Sequence, residues 1–489
     1  MSPKMVRDYL FSSRYFRIDL IAGLLLLFVM FAWIAVRDPK YGMPVFLGLG
    51  LAGIFFLLGP LFGFFFYFIT TFFRQVPLPG SPLSLNQVLG IFFCVSWLNW
   101  FLRGRTVRPR GGTAALFMAM AVYFIINCIY ADIPEEGLYY LRYVIIYAFI
   151  TLALASFLHQ RKSLHTLFWS MLVLTFASSL LGAFELVTGM DVLAKSTSTW
   201  MGRVRINGSA PNAIVFAYDL LFAFPIGYYL FSEHRQNGPR FVAMGFSLFI
   251  SLIALATFNR QTMIITAVVW LMSALSFRNR YSRLFLGLII IIALIMGPFV
   301  LGAMIARLQT ISDLYQDRSL AMRIDSIKVG MEIVKSHPWM GVGLGNFVKV
   351  WSRYVPTGTT RIVQYDKGMK TYTDMGYNQL LTEGGLIGLT FALILFASMT
   401  IILFRLRRKA VLCNDESGVN LYSCLVIMMI NFLLSSGIQD TFMYVRTWIM
   451  FGIVLAAIQK GFFARKSMAE RQPGSPDAPG VIEGHPALR

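Results

Sequence analysis

Charge is scarce in this chain. Only 13% of its 489 residues are charged and 57% are hydrophobic, where an average soluble domain carries about 25% charged residues. Many apolar runs reach the ~20 residues a bilayer crossing takes. That excludes a soluble enzyme held by one anchor. Cysteine is scarce too. Cys94, Cys128, Cys413 and Cys424 have neither metal-ligand spacing nor the pattern of a disulfide framework, and their expected role is packing. The five histidines, His159, His165, His234, His337 and His485, do not pair, so no metal cluster is expected. There is no GxxxxGK[ST] stretch, so ATP use is unsupported. The glycines of "GVGLGN" follow a helix rather than a strand, which speaks against a dinucleotide loop. No cofactor and no nucleic-acid partner are expected. The polar first 17 residues precede an apolar run with no small-residue cleavage site after it, which reads as a retained span and not a signal peptide.

What is abundant is apolar length. The chain reads as an all-α polytopic membrane protein of about fourteen transmembrane helices. The runs fall near 18–36, 44–58, 61–73, 85–102, 113–131, 138–158, 166–188, 211–231, 241–257, 261–277, 284–305, 379–404, 420–436 and 446–463. The excess of basic residues, +20 overall, sets the topology, because Lys and Arg collect in cytoplasmic loops. Splitting the run 44–73 at Pro60 puts "RGRTVRPR" (103–110), "HQRK" (159–162), "EHRQNGPR" (233–240), "RNRYSR" (278–283) and "RLRRK" (405–409) on the cytoplasmic side, and the acidic "ADIPEE" (131–136) outside. Both termini are then cytoplasmic. The organisation expected is an N-terminal bundle (1–305), one large periplasmic loop (306–378), C-terminal membrane helices (379–463) and a Pro/Gly/Ser-rich, disordered cytoplasmic tail (464–489).

The large loop carries its own periodicity. Leu320, Ile324, Ile327, Met331 and Val334 recur at steps of four and three, an amphipathic helix stripe. Asp317 can cap its start, and Pro338 ends it at His337. By that stripe the helix either lies flat on the membrane surface or packs over a cavity as a lid.

Several charges sit where they are expensive. Arg142, Glu185, Asp219 and Glu383 fall inside spans near the outer face, and Arg203, Arg205 and Arg260 at that face. Internal ion pairs, Arg142 with Glu185 for instance, are one explanation. The other is a polar outer cavity rich in arginine, which suits a phosphate or diphosphate, because a guanidinium stays charged and forks onto two oxygens. Arginines can also stabilise a departing diphosphate as negative charge develops on it.

Two stretches carry a family resemblance. "SHPWMGVGLGNF" (336–347) followed by "DMGYNQLLTEGGLIGL" (374–389) resembles the signature of the O-antigen ligase and Wzy-type polymerase superfamily. "RINGSAPNAIVFA" (205–217) and "FNRQTMIITAV" (258–268) resemble its two arginine segments. The resemblance covers roughly residues 195–400. It implies a GT-C-like helical bundle with the large loop over the site. The implied donor is an undecaprenyl-diphosphate-linked glycan, transferred without metal or nucleotide to a glycan or lipid acceptor at the periplasmic face of a bacterial inner membrane. Membrane lipids and a chain-length regulator protein are the other partners implied. Arg205 and Arg260 would grip the diphosphate with Arg203 assisting, and Arg323 of the amphipathic helix and His337 would contact substrate. Members of the ligase branch carry a histidine nine residues before the motif's glutamate. Here that place is Asp374, and Met375 follows it instead of asparagine. The departure favours a polymerase, with Asp374 as general base or, alternatively, as a helix cap. A ligase, or a flippase of the same lipid, are the competing readings. The structured loop, which a flippase does not require, separates the last.

Overall fold

A computed structural model describes residues 60–72, 85–104, 109, 111–158, 161–190, 199–200, 203–204, 206–210, 212–234, 236–257, 259–277, 287, 291, 318–356, 375–437, 439–442 and 444–459. The described residues form a helical bundle. In chain order its helices are α1 (Pro60–Phe72), α2 (Leu85–Leu102), α3 (Gly112–Ile129), α4 (Pro134–Phe157), α5 (Arg161–Thr188), α6 (Ala213–Glu233), α7 (Asn237–Ala256), α8 (Arg260–Ser276), α9 (Arg318–Ser336), α10 (Phe347–Val350), α11 (Gly376–Leu412), α12 (Glu416–Ser436) and α13 (Val445–Ile458). A two-residue-per-strand hairpin, β1 (Thr199–Trp200) with β2 (Arg203–Val204), precedes α6 and pairs Thr199 with Val204. Seven helices, α3 to α7, α11 and α12, are long and apolar enough to cross a membrane. The apolar helices α1, α2, α8 and α13 are shorter. The expected runs at 18–36 and 44–58 lie outside the described residues, as does nearly all of 284–305.

The helix ends follow their local chemistry. Asn212 begins α6 by accepting hydrogen bonds from the N–H groups of Ile214 and Val215. Asn259 does the same for α8 through Gln261, and Asp415 for α12 through Gly418. Pro134 opens α4, with Glu135 and Glu136 in the first turn, the residue types a helix N-terminus favours. Helix α6 is apolar on every side and buried along nearly its whole length. It is the central post, packed by α5, α7, α8 and α12. A second wall is formed by α3, α4, α11 and α13.

The bundle has two distinct ends. At one, Arg161 of α5 pairs with Glu233 of α6 and bonds Ser417 of α12, and Arg407 of α11 bonds the Ser276 carbonyl closing α8 (3.0 Å). The described residues of the basic segments border this end. At the other lie the start of α4, the end of α5 and the starts of α6, α8, α11 and α13. The GVGLGN stretch packs there too, so it is called the motif end below.

Helix α9 packs along the first part of α11, but not by the stripe the sequence marks. The packed face is Ser326, Val329, Gly330 and Ile333. Ile327 and Met331 point away from the protein, and Ile324 and Val334 are half-buried. Val329 and Ile333 join Val342, Phe347, Val350 and Trp351 in a small second core. An amphipathic period shows that a helix has two faces; it does not say which face meets protein when the other can meet lipid.

Candidate functional site

The motif end is built around a break in α11. Gly385 has φ 64° and ψ −170° inside an otherwise helical run of 37 residues, a conformation essentially reserved for glycine. The break releases the N–H groups of Leu386 and Ile387, which donate to the carbonyls of Pro338 (2.8 Å) and Trp339 (3.2 Å). In return the N–H groups of Val342 and Gly343 donate to the carbonyls of Thr382 (3.0 Å) and Glu383 (3.1 Å). The "HPWMGVGLGNF" stretch is therefore zipped by backbone hydrogen bonds onto "TEGGLI". Gly343, with φ 92°, sits where a Cβ would lie 2.4 Å from Cα of Ala131, so close docking requires glycine there.

Asn127, buried near the end of α3, completes the clasp. Its Nδ2 donates to the carbonyls of Met340 (2.7 Å) and Glu383 (3.1 Å), and its Oδ1 accepts from Leu344 N–H (2.8 Å). Asn346 accepts from Ile133 N–H (2.8 Å), and the Val342 carbonyl from Asp132 N–H (3.0 Å). Glu383 is wholly enclosed: Oε1 accepts from Phe347 N–H (3.2 Å) and Oε2 from Gln379 Nε2 (3.0 Å). The motif's glutamate thus holds the clasp together.

Beside the clasp, two helix starts converge on the end of α12, with the start of α13 tied to α6. Gln261, the second residue of α8, donates to the Ser435 carbonyl (3.4 Å). Gly376, the first residue of α11, donates its N–H to the Gln439 carbonyl (3.1 Å). Asp219 of α6 pairs with Arg446 of α13, and Tyr218 bonds Thr447 next to it (2.9 Å). Buried amides collect here. Oε1 of Gln261, Oε1 of Gln379 and Nε2 of Gln439 have no hydrogen-bond partner among the described residues, although buried polar groups are normally satisfied.

Of the expected site residues, Arg260 adjoins this junction in sequence. Arg260 is the first residue of α8, directly before Gln261; its side chain lies outside what is described. Arg203 lies in β2, and again only its backbone is described. Arg205 and Asp374 lie outside the described residues. The segment after Arg205 is held by Glu185, whose Oε2 accepts from the N–H groups of Asn207 (2.7 Å) and Gly208 (2.8 Å). The Arg142–Glu185 ion pair considered above is not formed. Arg142 stacks on Tyr139 and Tyr143 instead, and Glu185 is buried. Arg323 lies on α9, half-buried, with its Nε unpartnered among the described residues. His337 follows the last residue of α9, with Nε2 3.0 Å from the Tyr354 hydroxyl and 4.0 Å from an Asp132 carboxylate oxygen. Burial, with the Asp132 charge adding to it, holds the Tyr354 phenol above its usual range. Asn127, Arg446 and the three glutamines escaped the sequence reading. The signal was available in each case as a polar side chain within or bordering an apolar run. Among the described residues no group of three or more His, Cys, Asp or Glu could hold a metal.

The stretch that contains α8 and both motif segments of the clasp also carries a family match. Residues 245–393 match the Wzy_C family, O-antigen ligase. The match covers less than half of the chain, running from within α7 into α11, and it includes Arg260, Arg323, His337 and Asp374. It supports the O-antigen ligase and polymerase superfamily that the motifs resemble, a family of glycosyltransferase-like membrane enzymes. No curated protein matches the chain.

Proposed function

We propose that the chain is an inverting glycosyltransferase that polymerises undecaprenyl-diphosphate-linked repeat units of an O-antigen or exopolysaccharide, at the periplasmic face of a bacterial inner membrane. The observation that carries the reading is the convergence at the end of α12. The helix that Arg260 begins and the helix that starts two residues after Asp374 both dock on its last turn and the residues that follow. Gln261 and Gly376 thereby come from distant parts of the chain to one place, and Arg260 and Asp374 are their near neighbours in sequence.

Arg260 and Arg205, with Arg203 beside them, bind the diphosphate of the donor by paired guanidinium contacts. Asp374 accepts the proton of the acceptor hydroxyl. The hydroxyl oxygen attacks the anomeric carbon and forms the new C–O bond. The old bond to the phosphate oxygen breaks, and its electron pair leaves with the lipid diphosphate, whose charge the arginines stabilise. Arg323 and His337 line the approach from the α9 side. The cap position of α11 is Met375, which makes no side-chain cap bond, so Asp374 stands one residue outside the capping place. That favours the base role over the cap. The motif end is the periplasmic end because the basic segments border the opposite one.

The polymerase is preferred to the ligase because Asp374 stands where the ligase branch has histidine. The test uses membranes of a strain lacking the chromosomal copy. Arg260→Ala abolishes chain growth, and Arg260→Lys restores only part of it, since an ammonium does not fork onto two oxygens. Asp374→Asn keeps donor binding and loses about 10²-fold or more in transfer rate. Full chain growth in Arg260→Ala, at normal protein abundance, removes the diphosphate grip; full growth in Asp374→Asn removes the base.

A further inference from the structure

The face of α9 turned away from the protein is apolar and open. Ile327 is 41% exposed, Met331 52% and Trp339, just past the helix end, 66%. An isolated exposed apolar residue means little, but a contiguous strip marks a surface that meets something. Three observations identify what it meets.

The first is continuity. The Trp339 carbonyl is bonded to Ile387 N–H, and the neighbouring Pro338 carbonyl to Leu386 N–H. Leu386 is 42% exposed and opens the outward stripe of α11 that continues through Leu393, Ile394, Ile401 and Phe404. On a membrane-spanning helix such a stripe faces acyl chains. The strip on α9 thus begins where the lipid-facing surface of α11 begins. The second is charge. Lys328 and Lys335 lie along one border of the strip, each with its amine in solvent beside a carboxylate of the same helix, Asp325 (3.6 Å) and Glu332 (2.6 Å). Arg323, one turn before Ile327, lies at its other border. Cations edging an apolar strip are the pattern of a helix lying in the headgroup region, with amines reaching to phosphates. The third is the tryptophan, whose amphipathic ring prefers the membrane–water interface.

We propose that α9 is an interfacial helix, seated by Ile327, Met331 and Trp339 on the bilayer surface at the motif end. One face is clasped to α11 and the opposite face rests on lipid. This holds the "HPWMGVGLGNF" turn at headgroup depth whichever reaction the site performs. The inference does not rest on the proposed activity.

The test is site-directed spin labelling of the full chain in liposomes of phosphatidylethanolamine and phosphatidylglycerol. Cys94 and Cys413, the exposed cysteines, are first changed to serine. Labels are then placed singly through Ile327→Cys, Met331→Cys, Trp339→Cys and Lys335→Cys. Collision rates are measured with oxygen, which concentrates in lipid, and with a neutral nickel chelate, which stays in water. The expected result is a ratio of oxygen to nickel access several-fold higher at 327, 331 and 339 than at 335. A second variant guards against label artefacts. Ile327→Glu with Met331→Glu, both on an exposed face, keeps thermal stability in detergent, yet lowers oxygen access at a label on 339 in liposomes. Nickel access dominating at all four positions places the strip in water and overturns the proposal. Exclusion of both reagents at 327 and 331 means protein covers the strip, and overturns it equally.

Discussion

Replacing Gly385 by alanine should undo the clasp. At φ 64° and ψ −170° an L-residue is strained by about 1–3 kcal/mol. The added Cβ would also lie 2.2 Å from the Trp339 carbonyl oxygen and 2.6 Å from the Gly341 nitrogen. Those atoms are backbone, so they cannot rotate aside as a side-chain end would. Relief requires the 338–342 turn to move off α11, which lengthens the Leu386–Pro338 and Ile387–Trp339 hydrogen bonds, each worth about 1 kcal/mol net. Together the expected loss is about 3–5 kcal/mol. The neighbour is the control. A Cβ at Gly384 comes no closer than 3.2 Å to an edge atom of the Phe124 ring, and Gly384 has no left-handed φ. Gly384→Ala should therefore cost under about 1 kcal/mol. The assay is thermal unfolding in detergent, paired with the rate of limited proteolysis between residues 318 and 356. Gly385→Ala should unfold several degrees lower and be cut faster, with Gly384→Ala close to the parent. Equal behaviour of the two variants would refute the claim that the glycine pair separates a break from a continuing helix.

The Asp219–Arg446 pair is buried on both sides, so Asp219→Leu alone should lose about 3–5 kcal/mol, because it strands a buried charge. Asp219→Leu with Arg446→Met should recover most of that in the same unfolding assay, and an additive double variant would contradict the pairing. Topology is checked by reporter fusions: one after Trp351 should read periplasmic and one after Arg408 cytoplasmic. The same side for both would break the assignment of the motif end to the periplasm.

Local patterns were readable where one helix answers to one apolar run. The run read at 85–102 is Leu85–Leu102, and the helix stop before Pro338 falls at Ser336. The two motif stretches, 336–347 and 374–389, proved to be partners in space. The composition of each announced this only in part. Glycines signal a tight turn, but the partner of that turn depends on which backbone groups a break elsewhere leaves open. The entry into α11 illustrates this. An apolar run beginning at 379 hides a helix that starts at Gly376 and is interrupted at Gly385. The inward face of α9 was not readable, because apolar side chains can face lipid or protein with equal ease. Asn127 and Arg446 were legible only as polar residues in costly places. Their partners come from segments hundreds of residues away, and nothing in local spacing encodes that.

The most direct measurement is transfer by the purified chain in liposomes, supplied with an undecaprenyl-diphosphate-linked repeat unit and no nucleotide. The account predicts a ladder of glycans growing one repeat at a time, with one lipid diphosphate released for each bond made. The ladder should be lost in Asp374→Asn while donor binding is kept. Movement of the lipid-linked glycan across the bilayer without any new glycosidic bond, or a ladder undiminished in Asp374→Asn, would contradict it.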